Sequence, residues 1–228
     1  FMWWRIETNK HEEAAWEAAH ADVPVTLGVL IPETELCEQG SKIPLTVSGT
    51  DLDGNALDQT TFVNWDGSGL SLMQGSYTVS VPASPIGSDG TLFSVPTDKL
   101  QITIAGNENS DDPDTASASV DVAGSLVFTE IDGLDVTDDD IAAAYDYASQ
   151  GGAPTSEDAL ALRTAAQKKR DEAKAAHDEE EAEKRAKERA ERLVSADDYE
   201  FELPDYWKDK VTVKKDGNTT VFYSKDDD

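Results

Sequence analysis

The sequence predicts a mainly β protein with added α structure: a β-sandwich, then a long charged α-helix, then a C-terminal β-hairpin. Three observations support this class. From about residue 22 to 133, short runs of Val, Ile, Thr and Leu are broken by Gly, Pro, Asn and Asp, as in strands joined by turns. Residues 155–194 contain neither Gly nor Pro, which favours one long helix. Asp216-Gly217-Asn218 then separates two alternating runs, as in a hairpin.

The composition excludes some classes of partner. The 228 residues include 47 Asp and Glu against 19 Lys and Arg, for a formal net charge of -28. Nucleic acids and anionic lipid surfaces are bound through Lys and Arg, so nucleic-acid binding is excluded. The acid excess lies in residues 22–133, which hold 17 acidic residues but only Lys42 and Lys99 as bases. A protein or a cell-surface ligand remains as the partner class.

The first 21 residues indicate a juxtamembrane stalk. Phe1-Met2-Trp3-Trp4-Arg5 is typical of the interfacial end of a membrane helix, because indole rings lie at headgroup depth and Arg extends into water. Residues 6–21 are rich in Glu, Ala and His, as in a short helix. This favours a membrane anchor upstream of Phe1 and a location on the extracellular face. The alternative is that Trp3 and Trp4 are core residues of an N-terminal element.

Residues 22–133 are predicted to form the sandwich. Seven or eight strands in about 110 residues is typical of that architecture. Tyr77, Val79 and Val81 fall at every second position, which indicates one buried face and one solvated face. The predicted strands are 23–31, 43–49, 61–65, 69–73, 76–81, 91–95, 100–104 and 119–131.

Residues 69–81 read Gly-Leu-Ser-Leu-Met-Gln-Gly-Ser-Tyr-Thr-Val-Ser-Val. This segment resembles the G-x-L-x-L-x-x-G-x-Y-x-V-x-V signature of prealbumin-like (Ig-like) sandwiches, which include carboxypeptidase regulatory-like and collagen-adhesin B-type repeats. The resemblance implies a stalk module of a Gram-positive surface protein, with Gly75 in a tight turn and Tyr77 at the start of a strand. Residues 203–211 are similar to the opening of a module in exported actinobacterial proteins.

A calcium site is one interpretation of the oxygen-bearing side chains between residues 51 and 58. An EF-hand loop requires Gly at its sixth position and Glu at its twelfth, whereas Gly54 is fourth here and Phe62 is twelfth. Asp53-Gly54 is also a common hairpin turn, and this alternative is favoured. The sequence gives no sign of any other cofactor. The calcium candidates are Asp51, Asp53, Asn55 and Asp58.

No catalytic residues are predicted, and the chain is expected not to be an enzyme. Its three histidines, His11, His20 and His177, fall in the flanking helical segments, and no nucleophile elbow is present. Cys37 is the single cysteine, which excludes an intrachain disulfide. We expect Cys37 to be a half-buried or idle thiol.

Two helices are expected after the sandwich. Thr137 with Asp140 and Thr155 with Asp158 have the spacing of capping boxes. The second helix, 155–194, would be about 60 Å long. It has few large apolar side chains and nearly balanced charges, which favours a free-standing spacer over a coiled coil.

Four segments follow from these patterns: a juxtamembrane stalk (1–21), a β-sandwich domain (22–133), a helical spacer (134–196) and the hairpin start of a second, truncated domain (197–228). The expected function is that of a non-catalytic, monomeric extracellular region of a bacterial membrane-anchored protein, acting as a structural stalk or an adhesion module. The alternatives are an accessory domain of a larger secreted enzyme and a soluble acidic halophilic protein.

Overall fold

A computed structural model describes residues 2–32, 39–106, 118–195, 200–207, 209–217 and 219–225. Helices and sheets are both present, which confirms the mixed class. The chain divides into two units, residues 1–172 and 173–228. Cys37 lies outside the described residues.

The first unit contains two helices, the start of a third and eleven strands in its described part. The helices are α1 (Met2–His20), α2 (Asp138–Tyr147) and α3 (Ser156–Arg192), and a π-helical turn (Ala148–Gly152) follows α2. The strands are β1 (Val23–Val25), β2 (Val29–Leu30), β3 (Ile43–Asp51), β4 (Ala56–Val63), β5 (Leu70–Leu72), β6 (Gly75–Ser80), β7 (Phe93–Ser94), β8 (Leu100–Ala105), β9 (Ser119–Ala123), β10 (Leu126–Val127) and β11 (Thr129–Glu130).

The strands form a sandwich-like arrangement. Five of them make an antiparallel sheet in the order β4-β3-β6-β8-β9. Three short pairs accompany it: β1 with β5 and β7 with β11 are antiparallel, and β2 with β10 is parallel. The predicted strand 23–31 is therefore divided into β1 and β2, and 119–131 is divided into β9, β10 and β11.

One apolar core joins the large sheet to the short pairs. Tyr77, Val79 and Val81 are buried as the alternation predicted, and Leu100, Ile102 and Ile104 repeat the pattern on β8. Each such side chain stabilises the fold by about 1.5–3 kcal/mol when fully buried. Further core residues are Val25, Leu27, Ile43, Leu45, Val47, Val63, Leu70, Leu72, Phe93, Leu126 and Phe128.

Gly75 directly follows the two-residue connection between β5 and β6. It is the first residue of β6, and a Cβ atom there would overlap the carbonyl oxygen of Thr50 on the neighbouring strand. The Tyr77 hydroxyl also lies beside it and donates a hydrogen bond to the Met73 carbonyl (2.9 Å). Glycine is thus needed for the close approach of two strands.

A second apolar cluster joins α2 and the first part of α3 to the loop between β6 and β7. Ala159, Leu162 and Ala166 on α3 are buried in this cluster with Ile86 and Leu92. The sequence pattern favours a separate spacer over 134–196, and the structure groups α2 and residues 156–172 of α3 with the sheets in one unit. The sequence pattern missed this contact because alanines supply much of the helix surface.

The predicted helix caps are confirmed. The amide N–H of Asp140 donates to the Thr137 hydroxyl (3.1 Å), and the Thr137 amide donates back to the Asp140 carboxylate (2.9 Å). The amide of Asp158 likewise donates to the Thr155 hydroxyl (3.1 Å). These contacts satisfy amides that have no partner within the helix.

The helix predicted over 6–21 is present as α1. Among the residues that the structure describes, no helix combines the length and the apolar character needed to span a bilayer.

The second unit contains the last part of α3 and two hairpins. β12 (Leu193–Ser195) pairs with β13 (Glu200–Glu202), and β14 (Val211–Asp216) pairs with β15 (Thr219–Ser224), which confirms the predicted C-terminal hairpin. Arg192 at the end of α3 forms ion pairs with Glu202 (2.6 Å) and Asp205. Phe222 packs edge-on against Phe201, with ring centroids 5.1 Å apart.

Lys169 on α3 bridges two acidic side chains of the sheet region. Its Nζ lies 2.6 Å from Asp89 and 3.3 Å from Glu130, and it also bonds the Thr91 hydroxyl. Partial burial by itself raises the pKa of Asp89, but hydrogen bonds from Lys169 and Thr91 outweigh it and the pKa is lowered. Burial opposes the charge of Lys169 in the same way, yet Asp89 and Glu130 raise its pKa.

The contact between the loop and α3 predicts different costs for two glycine substitutions. Gly90 and Gly54 have φ of 89° and 81°. A Cβ at Gly90 would overlap the backbone of Ala165 and Ala166, whereas one at Gly54 meets nothing within 4 Å. Gly54→Ala should cost about 1–2 kcal/mol of unfolding free energy for its left-handed backbone alone. Gly90→Ala should cost about 1–3 kcal/mol more. Equal urea midpoints for the two variants would contradict the packing of α3.

The Lys169 bridge predicts a difference between adjacent lysines. Lys169→Ala should lower the unfolding free energy by about 1 kcal/mol, since the partly exposed pair is screened by water, and Lys168→Ala should cost less than about 0.5 kcal/mol. The lowered pKa of Asp89 means that its contribution is present above the ordinary aspartate pKa and is lost as pH falls through the lowered value. The raised pKa of Lys169 means that the contribution is also lost as pH rises through that value. Urea unfolding across pH tests both limits, and a difference independent of pH would contradict the bridge.

Candidate functional site

The calcium candidates lie in and beside the hairpin turn between β3 and β4. Asp51 Oδ1 accepts hydrogen bonds from the amides of Asp53 (3.0 Å) and Asn55 (2.8 Å). The Asn55 side-chain amide donates to Asp51 Oδ2 (2.9 Å) and is the main reason that the pKa of Asp51 is lowered. Asp58 lies on β4 opposite Ser48. The structure thus assigns the oxygen atoms of Asp51 to the turn itself.

Asp53 connects this turn to the end of α1. The His20 ring stacks on Trp16 with centroids 4.1 Å apart, and its Nδ1 donates to the Trp16 carbonyl (2.7 Å). Its Nε2 lies 3.2 Å from the Asp53 carboxylate. Both ring nitrogens therefore face acceptors, so the Trp16 carbonyl first and Asp53 second raise the pKa of His20.

Over the described part of the chain, no three His, Cys, Asp or Glu side chains come together as metal ligands. His177 is an exposed residue of α3.

A cleft of about 900 Å³ lies beside the sheets in the first unit. Three chain segments form its walls: the approach to β3, the turn after β4 and the glycine-rich segment between α2 and α3. The lining residues are Gly40, Lys42, Asn64, Trp65, Asp66, Gly151, Gly152, Ala153 and Pro154.

A backbone hydrogen bond joins the first and third walls of the cleft. The Lys42 amide donates to the Gly152 carbonyl (2.7 Å). Its neighbour Ser41 is buried, donates its amide to the Ile86 carbonyl (2.8 Å) and accepts at its hydroxyl from the Ile86 amide (2.8 Å). The Lys42 side chain is left exposed at the cleft.

The second wall is a tight turn over residues 64–68. The amide of Asn64 donates to the Ser68 carbonyl (2.9 Å), and Asp66 Oδ1 accepts from the Ser68 hydroxyl (2.5 Å) and amide (2.9 Å). The Ser68 hydroxyl is the main cause of the lowered pKa of Asp66. Asp66 therefore enters the cleft as a carboxylate with a fixed orientation.

Trp65 lies between the cleft and the core. Its half-buried ring packs edge-on against Phe93, with centroids 5.7 Å apart and an interplanar angle of 68°. Its Nε1 is shielded from solvent and has no hydrogen-bond acceptor among the described residues. An unpaired buried donor costs about 1–3 kcal/mol.

A smaller cleft of about 350 Å³ adjoins the first and shares Gly40 and Pro154 with it. Its other lining residues are Gln39, Ser88, Asp158, Ala161 and Leu162.

The larger cleft could not be recognised from sequence patterns alone. Lys42 and Gly152 are distant in sequence, and only the fold brings their segments together. The available signal was Asn64-Trp65-Asp66, an aromatic residue between two polar residues at the end of a strand.

Searches of protein-family models, curated proteins and solved structures found no match for this chain.

The contact between His20 and Asp53 predicts a pH effect. Because the pKa of His20 is raised, the contact stabilises the fold below the ordinary histidine pKa and is lost as pH rises through the raised value. Asp53→Asn should lower the pKa of His20 part of the way to its ordinary value, since the Trp16 carbonyl remains. Asp58→Asn is the matched control and should leave that pKa unchanged. NMR titration of the His20 ring measures both, and the same pKa in the two variants would disprove the contact.

Proposed function

We propose that this chain is a non-catalytic binding module of a bacterial surface protein, and that the larger cleft is its binding site. The cleft itself carries the proposal. Its volume is within the range of about 300–1,000 Å³ that is typical of ligand sites. It combines an indole ring, an ammonium group and a carboxylate on walls fixed by backbone hydrogen bonds.

Other polar side chains of the first unit are engaged in hydrogen bonds within their own loops, unlike the Lys42 side chain at the cleft. The Ser84 hydroxyl accepts from the Phe93 amide (2.7 Å) and donates to the Pro85 carbonyl (2.7 Å). Asp89 accepts from the Thr91 amide (2.9 Å). These groups serve the structure of their loops, whereas the side chain of Lys42 is directed to solvent.

A prealbumin-like sandwich is the proposed form of the first unit. In support, the resembling segment 69–81 supplies Leu70, Leu72, Tyr77 and Val79 to the core. β6, which contains the Tyr77 pattern, lies at the centre of the five-stranded sheet. The surface location is proposed from the resemblance and from the Trp pair beside Arg5.

Antibody labelling of source cells that express the full-length protein tests this location. An antibody raised against this chain should label intact cells as strongly as permeabilised cells, and an antibody against a cytosolic enzyme should label only permeabilised ones. Labelling by the first antibody only after permeabilisation would exclude the surface role.

A further inference from the structure

We propose that the larger cleft binds a neutral oligosaccharide, with the Trp65 ring against a sugar face and Lys42 and Asp66 bonded to its hydroxyls. This deepens the proposed binding role and rests on it.

The indole of Trp65 is larger than core packing requires. A phenylalanine could make the edge-on contact with Phe93 without leaving a shielded N–H unpaired. Trp65 is half-buried and lines the cleft, so its side chain offers an apolar surface there. A sugar ring suits such a surface, because the C–H groups of one face are apolar while its hydroxyls point outward.

The two charged groups also favour hydroxyls as their partners. A lysine ammonium only donates hydrogen bonds, and an ionised aspartate only accepts them. The lowered pKa of Asp66 keeps it ionised. A hydroxyl both donates and accepts, so the hydroxyls of a saccharide can bond Lys42 as well as Asp66.

The charge balance favours a neutral ligand. Lys42 and Asp66 balance each other's charge, and the lining residues that the structure describes include no other charged side chain. Residues 22–133 as a whole carry 17 acidic side chains against two lysines, and this excess repels anions. A cation would be attracted by the surroundings but opposed by Lys42 at the site.

The neighbouring cleft favours a ligand of more than one sugar ring. The two clefts share Gly40 and Pro154 as lining residues. A ligand of more than one ring would extend from Trp65 past these two residues. The wall it would follow consists of Gly151, Gly152, Ala153 and Pro154, whose small side chains leave space for it.

The test is an NMR titration of the ¹⁵N-labelled chain with trisaccharides of glucose, galactose, mannose or N-acetylglucosamine. At least one should shift the amide resonances of residues 42, 64–66 and 151–153. Lys42→Ala should weaken its binding about tenfold, as expected for one charge-assisted hydrogen bond. Lys99→Ala is the matched control, because Lys99 is the other lysine of residues 22–133 and is exposed away from the cleft lining. It should leave binding unchanged.

Trp65→Phe separates a binding role from a structural one. We expect this variant to retain the urea midpoint of the original chain, since it removes an unpaired donor, and to lose at least about tenfold in affinity. A lowered midpoint with unchanged affinity would show that Trp65 is only a core residue.

Three other results would overturn the proposal: no shift with any of the four trisaccharides, shifts confined to other residues, or stronger shifts with trigalacturonate or triglycine. If the antibody labels intact cells but no trisaccharide binds, only the saccharide proposal is refuted. If a trisaccharide binds but the antibody labels only permeabilised cells, only the surface role is refuted.

Discussion

The close approach of the loop containing Gly90 to the backbone of α3 is the contact on which the rest of the first unit depends. Only a glycine on the loop allows it, since a Cβ at Gly90 would overlap backbone atoms of Ala165 and Ala166. The approach brings Ile86 and Leu92 against the helix. The backbone of Ile86 in turn accepts a hydrogen bond from the Ser41 amide and donates one to the Ser41 hydroxyl. The packing of α3 thereby fixes the approach to β3, which is one wall of the cleft.

Ion pairs of Lys169 reinforce this packing at a point where the carboxylates of Asp89 and Glu130 would otherwise repel each other. Asp89 and Glu130 both lie within 3.3 Å of Lys169, and they come from residues 22–133, which contain only two lysines of their own. A lysine between two carboxylates converts a like-charge contact into two attractive ones. Arg192 does the same for Glu202 and Asp205 in the second unit. The basic residues of α3 therefore act between elements as well as along the helix.

Local features could be predicted from the sequence, because their causes lie within a few residues. The caps at Thr137 and Thr155, the alternation through Tyr77 and the C-terminal hairpin are of this kind. The packing of α3 could not be predicted from its large apolar residues, since Ala159 and Ala166 bury the helix by allowing a close approach. The cleft was missed for a related reason: the hydrogen bond between Lys42 and Gly152 joins segments that only the fold brings together.

The cleft separates the groups that hold its shape from the groups that face its contents. Lys42 is positioned by its amide, and the turn that carries Trp65 is closed by contacts among Asn64, Asp66 and Ser68. The Lys42 side chain takes no part in these bonds, and the Trp65 indole takes none as a donor. Substitutions of these two side chains can therefore change which ligand binds, or how tightly, without disturbing the walls of the cleft. Loops held by a rigid sheet commonly carry the binding residues of a protein. Here α3, which the sequence suggested would stand alone, also helps to position these loops.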